Sequence, residues 1–200
     1  MSRLYLLSRS ILIEFDGYRL VEMEAADIGA LQDFYEANPE YNLIVAGQPP
    51  HATLAHEDFY ELPPPEFSMT KKTMIGLVDS SGNLAGIADI VSDLFATDVW
   101  HIGFFMVATS RYGSGLAGHF YQALETWMVV QGARWLRLGV VADNPRGKSF
   151  WQRNGYQKVR TRESFYQNVG RTHTLDVLVK PLADNNVHDY LALVVRDRPE

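Results

Sequence analysis

The sequence predicts a single mixed α/β domain, and three observations carry that expectation. The chain has 200 residues, 46% of them hydrophobic and 21% charged, with a mean hydropathy of −0.14. That is enough apolar material for a core, in a proportion that disordered chains do not have. Strand-like runs alternate with helical patterns along its length. No segment repeats another at a fixed period.

The elements follow in order. Leu4 to Ile13 is an apolar run broken by Arg9, read as a strand or docking arm; it is too short to span a membrane and has no small-residue cleavage site. Gly17–Glu24 reads as a strand. Asp27 is placed to cap a helix whose apolar face is Ile28, Leu31, Phe34 and Tyr35, closing before Pro39. From Asn38 to Phe67 the reading is a loop-rich insertion, with Pro49-Pro50, a short helix from about Thr53 to Tyr60, and Pro63-Pro64-Pro65. Thr73–Val78 and Leu84–Val91 flank the turn cluster Asp79–Asn83 and read as a hairpin. Val99–Ala108 is almost wholly apolar, as expected of a strand covered on both faces. A Gly-rich turn then enters a long helix with Leu116, Phe120, Leu124, Trp127 and Met128 on one face, ending at Gly132. Trp135–Val141 is a strand; Asn144-Pro145 starts a helix that stops at Gly155. Gln157–Arg162 and Thr172–Val179 are strand-like. The tail keeps one apolar stretch, Tyr190–Val195, expected to pair at a sheet edge or a dimer contact. The expected division is an arm over 1–16, a domain over 17–182 and a tail over 183–200.

Composition narrows the function. Eighteen Lys plus Arg against 24 Asp plus Glu leave a net charge of −6, which argues against non-specific nucleic-acid binding. The charge is unevenly spread. Residues 1–100 carry sixteen acids and five bases, residues 101–200 eight and thirteen, and ten acids but no Lys or Arg lie between Arg19 and Lys71. Such a split suits ligands of opposite charge, although solvated acidic loops carry the same residues. The absence of cysteine excludes disulfides, thiolate metal sites and Cys nucleophiles. A cytoplasmic protein without metal or membrane partner is expected.

Two segments could carry chemistry. In Arg111-Tyr112-Gly113-Ser114-Gly115-Leu116-Ala117, small residues between a buried strand and a helix let backbone N–H groups approach an anion such as pyrophosphate. A tight strand-to-helix turn uses the same residues for steric reasons. Ala142-Asp-Asn-Pro-Arg-Gly147-Lys148-Ser149 fits a relaxed P-loop pattern. Against that reading, Pro145 removes an N–H from the phosphate cradle, the following helix is short, and no later strand ends in an Asp suited to magnesium.

Together the two segments resemble the GCN5-related N-acetyltransferase (GNAT) superfamily. Tyr112-Gly113-Ser114-Gly115-Leu116-Ala117 matches its acyl-CoA loop, with Arg111 displaced by one position from the usual basic residue. Downstream, Leu136–Val140, Asn144 to Trp151 and Asn154-Gly155-Tyr156 keep the family's spacing. The resemblance covers roughly residues 17–182. It implies a mixed, splayed central sheet of about six to seven strands flanked by about four helices, and acyl transfer from acetyl-CoA to an amine.

The resemblance also implies residue roles. Backbone N–H groups around Phe105, Met106 and Val107 would polarise the thioester carbonyl. Asn144 would lie beside the pantetheine arm, with Lys148 and Trp151 in the same acyl-CoA-binding segment. His101 falls where some members carry a catalytic Glu, so it becomes a candidate base. A satisfied His at a strand start is the competing reading. Asp89 stands in the apolar run Ile87–Val91, where a carboxylate needs a partner or a role. Trp151 occupies the position of the family's acid Tyr, and an indole cannot serve as an acid. Tyr156 and Tyr121 are the candidates to replace it, or the thiolate leaves with solvent's help.

The leading expectation is therefore an N-acetyltransferase acting on a small-molecule or peptide amine by direct attack in a ternary complex, with the oligomeric state open and a homodimer the assembly the resemblance suggests. The alternatives are a non-catalytic acyl-CoA sensor on the same fold and, less favoured, a P-loop nucleotide binder.

Overall fold

The computed structural model describes residues 6, 8–166 and 170–199, so Leu4, Tyr5 and Leu7 of the expected arm lie outside the described residues. Among the described residues eight strands form one sheet, in the order β1-β2-β3-β4-β5-β6-β8-β7. They are β1 (Ile11–Phe15), β2 (Tyr18–Glu22), β3 (Lys71–Val78), β4 (Leu84–Ser92), β5 (Val99–Val107), β6 (Trp135–Val141), β7 (Gln157–Tyr166) and β8 (Arg171–Pro181). Six α-helices accompany them among the described residues: α1 (Ile28–Ala37), α2 (Glu40–Val45), α3 (Leu54–Tyr60), α4 (Leu116–Val130), α5 (Pro145–Arg153) and α6 (Val187–Leu193). Both counts exceed the expectation from sequence.

Local chemistry explains most boundaries. Asp16-Gly17, both at positive φ, make the two-residue turn that joins β1 to β2, the geometry that matches strand twist. At the β3–β4 turn, Asp79 Oδ1 accepts from the N–H groups of Ser81 and Asn83. Helix α5 begins as the sequence predicts, with Pro145 in its first turn and the Asn144 side chain accepting from Gly147 N at 2.9 Å.

The chain divides into two compact units. One takes in the chain up to Glu66 with Lys72–Ile90 and Phe104–Gln131; the other comprises Phe67–Lys71, Val91–Gly103 and the chain from Gly132 onward. In the first, Leu31, Phe34 and Tyr35 of α1 pack with Ala55 of α3, Met74, Ile87 and Met106. A smaller cluster joins Leu6 to Val21 and Val78. In the second, β5 and β6 pair in parallel from Val99–Trp135 to Ile102–Leu138, while β8 runs antiparallel to both β6 and β7. Its core gathers Val99, Trp135, Val179, Tyr190 and Val194.

Three expectations change. Asp27 does not cap α1: its carboxylate accepts instead from the Glu24 N–H and from Arg9, a stronger, charge-assisted partner. The segment Tyr190–Val195 is no strand. Asn186 caps helix α6 by accepting from Asp189 N, and Tyr190 on that helix is fully buried. The insertion after Asn38 holds the six-residue helix α2, which the loop reading missed.

Candidate active site

The Gly-rich turn between β5 and α4 has the geometry an anion site needs. Gly113 and Gly115 take φ of +81° and +85°, which L side chains rarely adopt, and a Cβ built on either meets nothing within 4 Å. Arg111 to Gly115 are exposed. Ser114 Oγ donates to Arg111 O at 2.7 Å and accepts from Leu116 N, which shapes the turn from inside. The N–H groups of Gly113, Gly115 and Ala117 have no acceptor among the described residues. They stand at the positive end of a 15-residue helix.

The preceding strand end is closely packed. Met106 and Val107 are buried, and the Phe105 ring stacks on Phe120 of α4 at 5.0 Å between centroids. Thr109 ties this end to the acid-rich segment: its N–H donates to Asn38 Oδ1 at 2.7 Å and its hydroxyl to Glu40 at 2.7 Å. That hydroxyl holds the Glu40 carboxyl below its ordinary range.

In the same unit lies a group of side chains that the sequence reading only partly anticipated. Lys72 of β3 pairs with Asp89 Oδ2 of β4 at 3.4 Å and donates to the carbonyl oxygens of Asp58 and Glu61 at the end of α3. The Tyr35 hydroxyl donates to Asp58 Oδ2 at 2.9 Å. Asp89 Oδ1 is buried with no hydrogen-bond partner among the described residues. Burial raises the Asp89 carboxyl to about 6 against the pull of Lys72, with Asp58 and Glu61 adding to the rise. Asp58 is raised as well, chiefly by burial. The rings of Tyr35 and Tyr41 meet Phe104 edge-on at 5.7 and 4.5 Å.

The remaining candidates belong to the second unit. His101 Nδ1 lies 3.3 Å from Nη1 of Arg137, its register partner on β6. Burial, then the Arg137 charge, depress the His101 imidazole to about 3. His101 and Asp89 thus have separate partners. Asn144 spends its side-chain oxygen on the helix cap. Lys148 pairs with the buried Asp176 at 2.9 Å, and Lys158 approaches the same carboxylate at 2.7 Å. Burial pushes Asp176 up, but the hydrogen bonds from Lys158, Lys148 and Thr161 prevail and hold it at about 2. A lysine so engaged, beside an Asn that takes the Gly147 N–H, does not form a phosphate cradle. Trp151 and Tyr156 are both buried, with rings edge-to-face at 5.2 Å.

Sequence reasoning missed Arg137, Tyr190, Asp197 and Lys72. One signal was available: Arg137 interrupts the apolar strand Leu136–Val140 just as Asp89 interrupts Ile87–Val91.

The model of the Acetyltransferase (GNAT) family matches residues 31–156, more than half of the chain, and includes the Gly-rich turn. The chain belongs to the GNAT acetyltransferase family. A GCN5-related N-acetyltransferase from Kribbella flavida shares 21% identity over 84% of this chain and 99% of its own, with a TM-score of 0.60. An acetyltransferase from Thermus thermophilus shares 20% over 86% and 100%, at 0.62. The PaiA N-acetyltransferase of Thermoplasma acidophilum, solved in complex with coenzyme A, shares 13% over 82% and 99%, at 0.55. No curated protein matches. These likenesses establish the GNAT fold, and with the family match they make the protein an acyltransferase of that type. No helix among the described residues is long and apolar enough to cross a membrane.

Proposed function

We propose that this GNAT protein transfers an acetyl group from acetyl-CoA to a primary amine of a small molecule or peptide, by direct attack in a ternary complex, in the cytoplasm. The observation that carries the reading is the turn at the head of α4. Its positive-φ glycines leave open space over backbone N–H groups, which suits the pyrophosphate of coenzyme A, and Arg111 adds a formal charge. Phe105–Val107, just upstream, supply the backbone N–H groups assigned to the thioester carbonyl.

Asp89 is the proposed base. A buried carboxyl held near 6 is ionised at neutral pH and basic enough to take a proton from an ammonium nucleophile. Asp58, Glu61 and the rings of Tyr35, Tyr41 and Phe104 make its neighbourhood hospitable to a cation. Tyr156 is the proposed acid for the departing thiolate, in place of the Trp151 indole.

Acetyl-CoA is expected to raise the melting temperature, and Gly115→Glu to abolish the shift by placing bulk and negative charge in the turn. Thiol release from acetyl-CoA, measured with a broad panel of amines, separates an enzyme from a sensor. Stabilisation without turnover supports the sensor, and absence of any shift with acyl-CoA refutes both.

A further inference from the structure

We infer that His101 is a neutral hydrogen-bond donor that offers its Nε2–H to an oxygen of a bound ligand, and that Asp197 is a positioning residue for it, acting through Arg137. The inference rests on the acetyltransferase reading for the identity of that ligand, but its geometry stands alone. A guanidinium carries only N–H donors, so the contact from Arg137 Nη1 obliges His101 Nδ1 to accept. A neutral imidazole that accepts at Nδ1 carries its proton on Nε2. Such a ring has no lone pair left for an ammonium. It can hold a carbonyl or carboxylate oxygen.

Arg137 is not free to turn away. Nε and Nη2 donate to the two oxygens of Asp197 at 2.6 and 3.0 Å, and the Tyr190 hydroxyl donates to the same carboxylate. Arg137 is 4% exposed and Asp197 is 0% exposed. The Phe95 ring lies 4.9 Å from the Arg137 guanidinium and 4.4 Å from that of Arg196. Phe95 takes φ of +73°, a strained position for a bulky residue, which the surrounding cation–ring contacts hold in place.

The charges around the imidazole agree with the assignment. Burial is the largest influence against a second proton, with the Arg137 and Arg162 charges adding to it, while a hydrogen bond with the Arg137 backbone and the Asp197 charge oppose them. His101 is nevertheless only partly covered, and its Nε2 has no side-chain hydrogen-bond partner among the described residues. An oriented donor with an open side is a recognition element, and proton abstraction is left to Asp89.

The test is nitrogen-15 NMR of the histidine side chains between pH 5 and 8, with His101 assigned from its loss in His101→Gln. The expected result is the Nε2–H tautomer without titration across the range. Titration of His101 near neutrality, or a proton on Nδ1, overturns the inference. In Asp197→Asn the His101 resonances are expected to shift toward mixed tautomers, a readout that loss of packing alone would not produce; an unchanged tautomer removes Asp197 from the role. In turnover assays His101→Ala is expected to lose about tenfold or more in kcat/KM, and His101→Gln, which keeps an N–H, to recover part of it. The acid limb of the pH profile is expected to survive both changes. If it disappears, His101 is the base and the donor role falls. The NMR arm needs no turnover, so failure of the acetyltransferase reading, seen as no stabilisation by acetyl-CoA, is distinguishable from failure of this one.

Discussion

Asp197→Ala is expected to cost the protein about 4 kcal/mol. The substitution removes both carboxylate acceptors of the Arg137 guanidinium, leaving it only His101 Nδ1, and the acceptor of the Tyr190 hydroxyl. Breaking a buried ion pair from one side typically costs about 3–5 kcal/mol, because the remaining charge is stranded away from water. The hydroxyl loses the same carboxylate, so its separate cost of about 1 kcal/mol overlaps with that figure and is not simply added. For a chain of this length each kcal/mol moves the melting temperature by about 2–4 °C, which predicts a fall of about 8–16 °C. Urea unfolding followed by tryptophan fluorescence is the assay, since Trp135 belongs to the same unit and its Nε1 donates to Asn186 O at 3.0 Å. Replacing both partners, as Arg137→Met with Asp197→Leu, is expected to recover most of the loss because no unpaired charge is buried. A cost below about 1 kcal/mol for Asp197→Ala would show that the tail is not docked in solution and refute the reasoning.

Asp89→Asn is expected to stabilise the protein at pH 7 while lowering turnover. The folded carboxyl is raised to about 6 from an ordinary 3.8, so the folded state binds the proton more tightly and loses stability as pH climbs from about 4 to 6. The gain from Asn, of order 1–3 kcal/mol, should vanish in melts at pH 4. Asp176→Asn should act in the opposite sense. Its depressed carboxyl contributes stability above about pH 4 that fades toward pH 2, so the variant should be weaker at neutral pH and flatter over that window in acid titration of ellipticity. Gly115→Ala meets no neighbour and so isolates backbone strain; a cost of about 1–2 kcal/mol and weakened, not abolished, stabilisation by acetyl-CoA are expected in thermal melts.

The elements legible in the sequence were those specified by nearby residues. Helix α5 announces itself because Asn144 and Pro145 adjoin it, and the β3–β4 hairpin because Asp79 and its acceptor contacts lie within five residues. The Gly-rich turn was equally local. Asp27 was misread because its decisive partner, Arg9, sits eighteen residues upstream, and a distant guanidinium outcompetes a cap. Helix α6 was misread because Val194 and Val195 favour strand, while burial of Tyr190 against the Asp197 carboxylate decides for helix. The same limit applies to the site. The anomalous Asp89 could be seen in one strand, but Lys72 and Asp58, which set its environment, come from other elements, and nothing in the spacing joins them.

The outer strand β7 bears on how copies of the protein meet. A strand at the end of a sheet offers unpaired backbone groups to any other chain, including its own double. Here that strand carries Lys158, Arg160 and Arg162, and its register against β8 slips between Lys158 and Arg160. Lys158 is held by the buried Asp176 and Arg160 donates to Arg196 O, so these side chains are engaged within the protein, and the irregularity bends the backbone away from a flat template. A strand bent in this way is a poorer template for sheet extension by another chain.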